Sequence, residues 1–174
     1  MNARIVRRAT AEDAEVLGII GPAAYAEAYG HLWDRSDAYS DQLRTFGVRA
    51  FEALLARPEA RLWIGEAQGT VVGFLSMIVG SVDPAGRRLG GAEIPRIYVI
   101  GPAQRAGLRR LLLDAAINQA ASEGLSHIWL DVMASATVAR RAYAKWGFRE
   151  IGTRQFKKLV KFGLSDTVVL MKEV

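Results

Sequence analysis

The sequence predicts a single mixed α/β domain, with a central twisted mixed sheet of about seven strands flanked by about four helices. Three observations carry this expectation. The chain has 174 residues, the size of one domain. Hydrophobic residues make up 51% of it and charged residues 24%, the balance of a folded chain rather than a disordered one. Short β-branched or alternating runs are interleaved with longer runs of helical period, in the order β-α-α-β-β-β-α-β-α-β-β. No repeat, low-complexity tract or linker breaks that order, so residues 1–174 are expected to form one domain.

The opening ARIVRRAT alternates well enough for a strand. Thr10 suits an N-cap, with Asp13 placed to reach back to it, so a helix is expected from about Ala11. Gly21-Pro22 should kink or split that helix. Residues 23–57 read as further Ala-rich helix, ended by Arg57-Pro58. Residues 61–67 and 70–79 read as strands joined by a tight turn at Gln68-Gly69, and the polar, Gly-rich stretch from 80 to 91 as a loop. AEIPRIYVI (92–100) is a strand, residues 108–124 a helix closed by Gly124, and HIWLDVM (127–133) a strand. A shorter amphipathic helix over 137–147 and two closing strands complete the chain. The strand–helix–strand units imply parallel pairing in the second half, and the hairpins imply antiparallel pairing elsewhere.

Composition removes several classes of function. Zero Cys excludes a disulfide scaffold, a Cys-type zinc site and a thiol nucleophile, and only His31 and His127 are left for a His-based metal centre, so no metal is expected. No apolar run reaches the ~20 residues needed to span a bilayer, and the first fifteen residues turn acidic before any apolar run. A cytoplasmic protein without a membrane partner is the expectation. The formal charge of +5 favours anionic partners or simply solubility. No recognition-helix or RNA-binding signature accompanies it, so nucleic acid is not expected as a partner.

Three features can carry chemistry. GPAQRAGLRRLLL follows a strand and opens a helix, where free N–H groups and the positive dipole end make an anion site; Arg105, Arg109 and Arg110 surround the same turn. Its spacing matches neither a P-loop nor a dinucleotide fingerprint, and a plain strand-to-helix turn with solvated arginines is the alternative. Tyr143 stands on the short helix ahead of Gly147-Phe148, where a packing role competes with a chemical one. Glu93 is an acid inside an otherwise apolar strand, costly unless paired or wet, with nearby Arg96 or another Arg as its structural partner.

In their order and spacing these blocks resemble the GNAT superfamily, the acyl-CoA-dependent N-acetyltransferases. EIPRIYV, IGPA and QRAGLRRLLL are similar to that family's strand, turn and pyrophosphate loop. LDVMASATVARRAYAKWGFREIG is similar to its N-x-x-A-x-x-F-Y-x-x-x-G-F segment, and SDTVVLMKEV to its closing strand. The EIPRIYV form and the helical N-terminal part are most like the small-amine branch, which includes polyamine acetyltransferases.

The resemblance implies acetyl-CoA as co-substrate and a small-molecule primary amine as acceptor; a protein N-terminus or lysine, or a ligand-binding module without turnover, are the alternatives. It implies that Val99 sits at a β-bulge where two parallel strands splay, its backbone N–H facing the thioester carbonyl. Gln104, Arg105, Ala106, Gly107, Leu108 and Arg109 would cradle the pyrophosphate. Tyr143 would protonate the departing thiolate, and Glu93 would take the proton of the substrate ammonium. Arg109 replaces the loop motif's last Gly or Ala, and its side chain would either crowd the pyrophosphate or swing out toward the 3′-phosphate. Ala136 replaces the Asn and Ala142 the Phe of the second motif. The acceptor is expected between the N-terminal helices and the last hairpin. The helical side supplies Glu27, Asp34, Asp37 and Asp41 beside Tyr25, Tyr29 and Trp33, and the hairpin supplies Lys157, Lys158 and Lys161. A homodimer is left open.

Overall fold

The computed structural model describes residues 4–101 and 107–174. Its strands are β1 (Arg4–Arg8), β2 (Ala60–Ala67), β3 (Thr70–Val79), β4 (Gly91–Val99), β5 (His127–Met133), β6 (Arg149–Gln155) and β7 (Asp166–Glu173). Its helices are α1 (Ala14–Tyr29), α2 (Ser36–Arg44), α3 (Val48–Leu55), α4 (Leu108–Ser122) and α5 (Thr137–Lys145). The seven strands form one sheet in the order β1-β2-β3-β4-β5-β7-β6. Among the described residues, only β4 and β5 pair in parallel, joined by the α4 crossover; every other neighbour is antiparallel.

The main departure from expectation is in the N-terminal helices. α1 runs through Pro22 without a break. Its packing explains why the missing N–H is tolerated. A Cβ at Gly18 would lie 2.5 Å from Cγ2 of Val48, and one at Gly21 2.8 Å from the Phe51 ring. The two glycines cut a notch into which α3 fits, and this tertiary contact outweighs one lost backbone bond. Beyond Tyr29 the helical region divides into α2 and α3, after a short 3-10 turn over Gly30–Leu32.

Each sheet face has its own core. Leu108, Leu112 and Leu113 of α4 and Tyr143 of α5 pack against Leu75, Ile94 and Leu130. On the other face, Leu17 and Tyr25 of α1 and Phe51 of α3 pack against Ile64 and Phe74.

Two irregularities in β4 position the site. Ser76 opposes Arg96 while Ile78 opposes Glu93, so Ile94 and Pro95 together face Met77. This is a β-bulge, and it sits at Ile94–Pro95, not at Val99, which pairs in register with Gly73. Proline cannot donate to the ladder, so the extra residue falls where the chain has no N–H to offer. On the other edge of β4, pairing with β5 covers only Gly91 to Glu93, opposite His127 to Trp129. Beyond Glu93 the two strands part.

The N-terminal corner supplies a pH-dependent element. Arg7 donates to both carboxylate oxygens of buried Asp13 (2.8 and 2.9 Å), and Asp13 also accepts the Thr10 backbone N–H at 2.7 Å. The Arg7 guanidinium holds the Asp13 carboxyl below its ordinary value. A carboxyl lowered in the folded state adds stability at neutral pH, and this is lost as pH falls through the ordinary carboxylate range and below. Arg7→Gln should therefore unfold more readily at pH 7 and lose less stability than the wild type between pH 5 and pH 2. Melting temperatures across that range check this.

Candidate active site

The bulge does more than end a ladder. Side chains alternate along a strand, and one inserted residue resets the alternation. Ala92, Ile94, Ile97 and Val99 join the α4 face, while Glu93, Arg96 and Tyr98 come together on the α1 face as walls of one cavity. Without the extra residue, Arg96 and Tyr98 would face away from Glu93.

That cavity measures about 430 Å³. Tyr25, Tyr29, Gln42 and Phe46 close it from the helical side, and Arg154, Phe156, Lys157 and Lys158 from the β6–β7 hairpin. This is where the acceptor was expected, but the acids of the helical side are elsewhere. Asp37 pairs with Arg35 and Asp41 with Arg44 on the surface, and Glu27 accepts the Gly101 backbone N–H at 2.9 Å. Asp34 is exposed and does not line the cavity. Trp33 is buried and donates to the Tyr25 hydroxyl at 3.2 Å. Lys161 donates to the His31 carbonyl at 2.8 Å, pinning the hairpin to the helical side.

The carboxylates of the cavity come from the sheet. Glu93 has no ion-pair partner among the described residues; Arg96 instead donates to the Thr45 carbonyl at 2.8 Å. Burial pushes the Glu93 carboxyl above the ordinary carboxylate range, the nearby Asp131 adds to this, and Arg154 opposes it. Asp131, in the middle of β5, is bound by Arg154 through one oxygen, while its buried Oδ1 has no partner among the described residues. Burial raises it as well, against the Arg154 hydrogen bond. A partly buried carboxyl held high without a fixed partner is a suitable proton acceptor.

A second, narrower cavity of about 60 Å³ lies where β4 and β5 diverge. Ile94 and Ile97 of β4, Leu130 and Val132 of β5, Arg109 of α4 and Tyr143 of α5 line it. It adjoins the larger cavity, because Tyr29, Pro95, Tyr98 and Asp131 belong to both walls. Tyr143 is buried, with its ring edge-on to Trp146 and Phe148 at 5.5 and 5.4 Å. Burial pushes its hydroxyl well up, with the Arg109 guanidinium opposing, so it stays a neutral proton donor. Arg109 turns into this cleft beside Tyr29 and Tyr143 rather than outward, and its buried Nε has no partner among the described residues.

The turn into α4 is described from Gly107 onward; Gln104, Arg105 and Ala106 lie outside the described residues. Gly107 caps α4 in a left-handed conformation, φ +75°, which favours glycine. The first bonds of the helix run from Arg110 and Leu111 to the Gly107 carbonyl, so the N–H groups of Leu108 and Arg109 precede the helical ladder. Val99 is buried in the α4-side core. Its neighbour Ile100 donates to Val72 of β3 at 2.8 Å. By strand alternation the Val99 N–H points the other way, toward the gap beside β5. Ala136 is the N-cap of α5, and no side chain caps that helix. Among the described residues, no group of His, Asp and Glu is arranged to hold a metal ion, and no helix is long and apolar enough to cross a membrane.

The sheet thus parts at its parallel seam, leaving a narrow cleft beside a wider cavity, with Glu93, Asp131 and Tyr143 around the gap, each raised above its ordinary value by burial. The chain belongs to the acetyltransferase (GNAT) family, whose family model matches residues 25–148. It is similar to mycothiol acetyltransferase of Amycolatopsis mediterranei, 36% identical over 104 residues, 58% of this chain and 34% of that one. It is also similar to [ribosomal protein bS18]-alanine N-acetyltransferase of Haemophilus ducreyi, 36% identical over 73 residues, 41% of this chain and 50% of that one. The chain thus spans between a third and a half of the length of these curated relatives. Its fold matches the crystal structure of paia N-acetyltransferase from Thermoplasma acidophilum in complex with coenzyme A, with TM-score 0.78, 16% identity and 99% of both chains covered. It also matches ribosomal-protein-S18-alanine N-acetyltransferase from Escherichia coli, with TM-score 0.69, 20% identity, and 99% of this chain and 94% of that one covered. These relatives do not single out the small-amine branch.

Proposed function

We propose that the chain transfers an acetyl group from acetyl-CoA to a primary amine of a small molecule. The observation that carries this reading is that the two cavities lie side by side and share a wall. Tyr143 lines the narrow cleft, Glu93 lines the wider chamber, and Tyr29, Pro95, Tyr98 and Asp131 border both.

The residues fit the co-substrate. Among the described residues, no strand lies between the inner edges of β4 and β5 past Glu93 and Trp129, and none accepts from the buried Arg109 Nε. An extended chain bearing amides satisfies both. The N–H groups of Leu108 and Arg109 and the dipole of the 15-residue α4 suit the pyrophosphate. When bound, acetyl-CoA supplies the activated acyl carbon. The chain's own residues do the rest. Glu93 would take a proton from the substrate ammonium, so that the neutral nitrogen attacks; as the C–N bond forms and the C–S bond breaks, the Tyr143 hydroxyl would give its proton to the thiolate and regain one from the nitrogen, which must shed its second proton to become an amide. The Val99 N–H would face the carbonyl oxygen.

Gly107→Val tests the co-substrate site, because it forces a β-branched residue into a left-handed angle at the helix start. Calorimetry with acetyl-CoA should show at least tenfold weaker binding, about 1.4 kcal/mol, in a protein that remains folded. Unchanged affinity would overturn the site. The ribosomal-protein relatives favour a second reading, acetylation of a protein N-terminus. Release of free CoA with peptides but with no small amine would select it.

A further inference from the structure

We infer that the acceptor carries a carboxylate as well as its reactive amine, so that the substrate class is a zwitterionic amino compound of about amino-acid size rather than a simple amine or a polyamine. This inference rests on the acetyl-transfer reading above and adds the acceptor's chemistry to it.

Arg96 carries the argument. Its guanidinium stacks over the Phe46 ring at 4.3 Å, with Phe51 at 5.7 Å, and donates to the Thr45 carbonyl at 2.8 Å. Those contacts fix its direction while using few of its five donors. No carboxylate among the described residues pairs with it, although it is partly buried and lines the larger cavity. Arg154, in the same wall, is neutralised by Asp131. A guanidinium removed from water costs free energy unless an anion meets it. Arginine's planar fork also matches the two oxygens of a carboxylate better than any other side chain does. An oriented Arg that lines a cavity and has no carboxylate partner among the described residues is therefore a receptor for an anionic group of the ligand.

The surroundings agree. The cavity wall holds two carboxylates, Glu93 and Asp131, against four cations, Arg96, Arg154, Lys157 and Lys158. That balance disfavours a polycation and favours a ligand bearing its own negative charge. Because of the bulge, Glu93 and Arg96 are successive residues on one face, about 7 Å apart along the strand. One small molecule can set its ammonium against Glu93 and its carboxylate against Arg96. Tyr25, Tyr29 and Phe46 leave an aromatic wall for its side chain.

The test uses the full chain with saturating acetyl-CoA and follows release of free CoA thiol. The acceptors are the L-amino acids, each beside its carboxamide, together with spermidine and O-phosphoethanolamine. At least one amino acid should exceed its amide tenfold or more in kcat/KM, mainly through KM. Arg96→Gln should collapse that ratio, and Arg96→Lys, which keeps the charge but loses the fork, should give an intermediate value. In parallel, thermal shifts without acetyl-CoA should show stabilisation by the preferred acid and not by its amide. Amides or spermidine used as well as the acids, or the absence of any acid-selective turnover or thermal shift, overturns the carboxylate. Preference for O-phosphoethanolamine over every amino acid also overturns it, in favour of a phosphate. Turnover of amides alone leaves the acetyltransferase reading standing. Absence of acetyl-CoA binding in calorimetry sinks that reading, while the thermal shifts still decide whether the anion site exists.

Discussion

Tyr143→Phe should lower kcat roughly 10²–10⁴-fold, the range of a positioned general acid, while its melting temperature stays close to that of the wild type. The ring keeps its contacts with Trp146 and Phe148, and only the hydroxyl is lost. Glu93→Gln should lower the rate to a similar extent, with a different signature in pH. The wild-type rate should fall on the acidic side as Glu93 takes up a proton, at a pH above the ordinary carboxylate range because burial and Asp131 raise it. Glutamine has no such ionisation, so that limb should flatten. Stability should move in the opposite direction to activity. A carboxyl raised in the folded state destabilises the fold as pH climbs through its folded value, so removing the charge should raise the melting temperature at pH 7. A structural ion-pair role for Glu93 predicts a lower melting temperature. Rate–pH profiles and melting curves of both variants, measured with one active amine, decide between these roles. Full rates across the pH range in both would show that solvent carries the protons.

Phe51→Ala should be the most damaging truncation on the helical face. Phe51 has no exposed surface, stands edge-on to Phe74 at 5.2 Å and fills the notch at Gly21. Losing a ring of this kind costs about 3–5 kcal/mol, the transfer term plus the cavity. For a chain of this size the melting midpoint should fall by about 6–20 °C. The variant also removes one of the two rings beneath Arg96, so acceptor KM should rise even at temperatures where it is folded. Calorimetric melting and acceptor titration separate the two effects. A midpoint within 2 °C of the wild type would mean that α3 does not need this anchor.

The order of elements was legible because hydrophobic period, turn residues and the α4 start all pointed the same way, and β5 falls on residues 127–133 as the β-branched run predicts. The division of the N-terminal helices was not legible. A Gly-Pro pair reads locally as a break, and only the notch for α3 explains why α1 continues. Glu93 stood out because an acid interrupted an apolar strand. The same signal stands at Asp131 within HIWLDVM and was not read there; Arg96 was read only as a partner for Glu93, whereas among the described residues no carboxylate pairs with it. Parity hid Arg96: strict alternation from Glu93 puts it on the opposite face, and only the extra residue at Pro95 restores it. Proline inside an otherwise regular strand was the one clue to that bulge. Lys157 and Lys158 line the cavity where the hairpin was expected to form a wall, whereas Arg154 gave no local sign, because its place over β4 is a tertiary fact.

The short seam between β4 and β5 has a mechanical consequence. Three residue pairs join the four-stranded half of the sheet, β1 to β4, to the three-stranded half, β5 to β7. The two halves are thus two plates riveted along one edge, with α4 and α5 as struts on one side. Whatever fills the opening becomes a mortar between them, adding backbone bonds where the protein itself has none. Under the proposed placement of acetyl-CoA, affinity at this cleft and the stiffness of the sheet would be set by the same atoms. A substitution that extended β4–β5 pairing past Glu93 would then stiffen the sheet by closing that cleft.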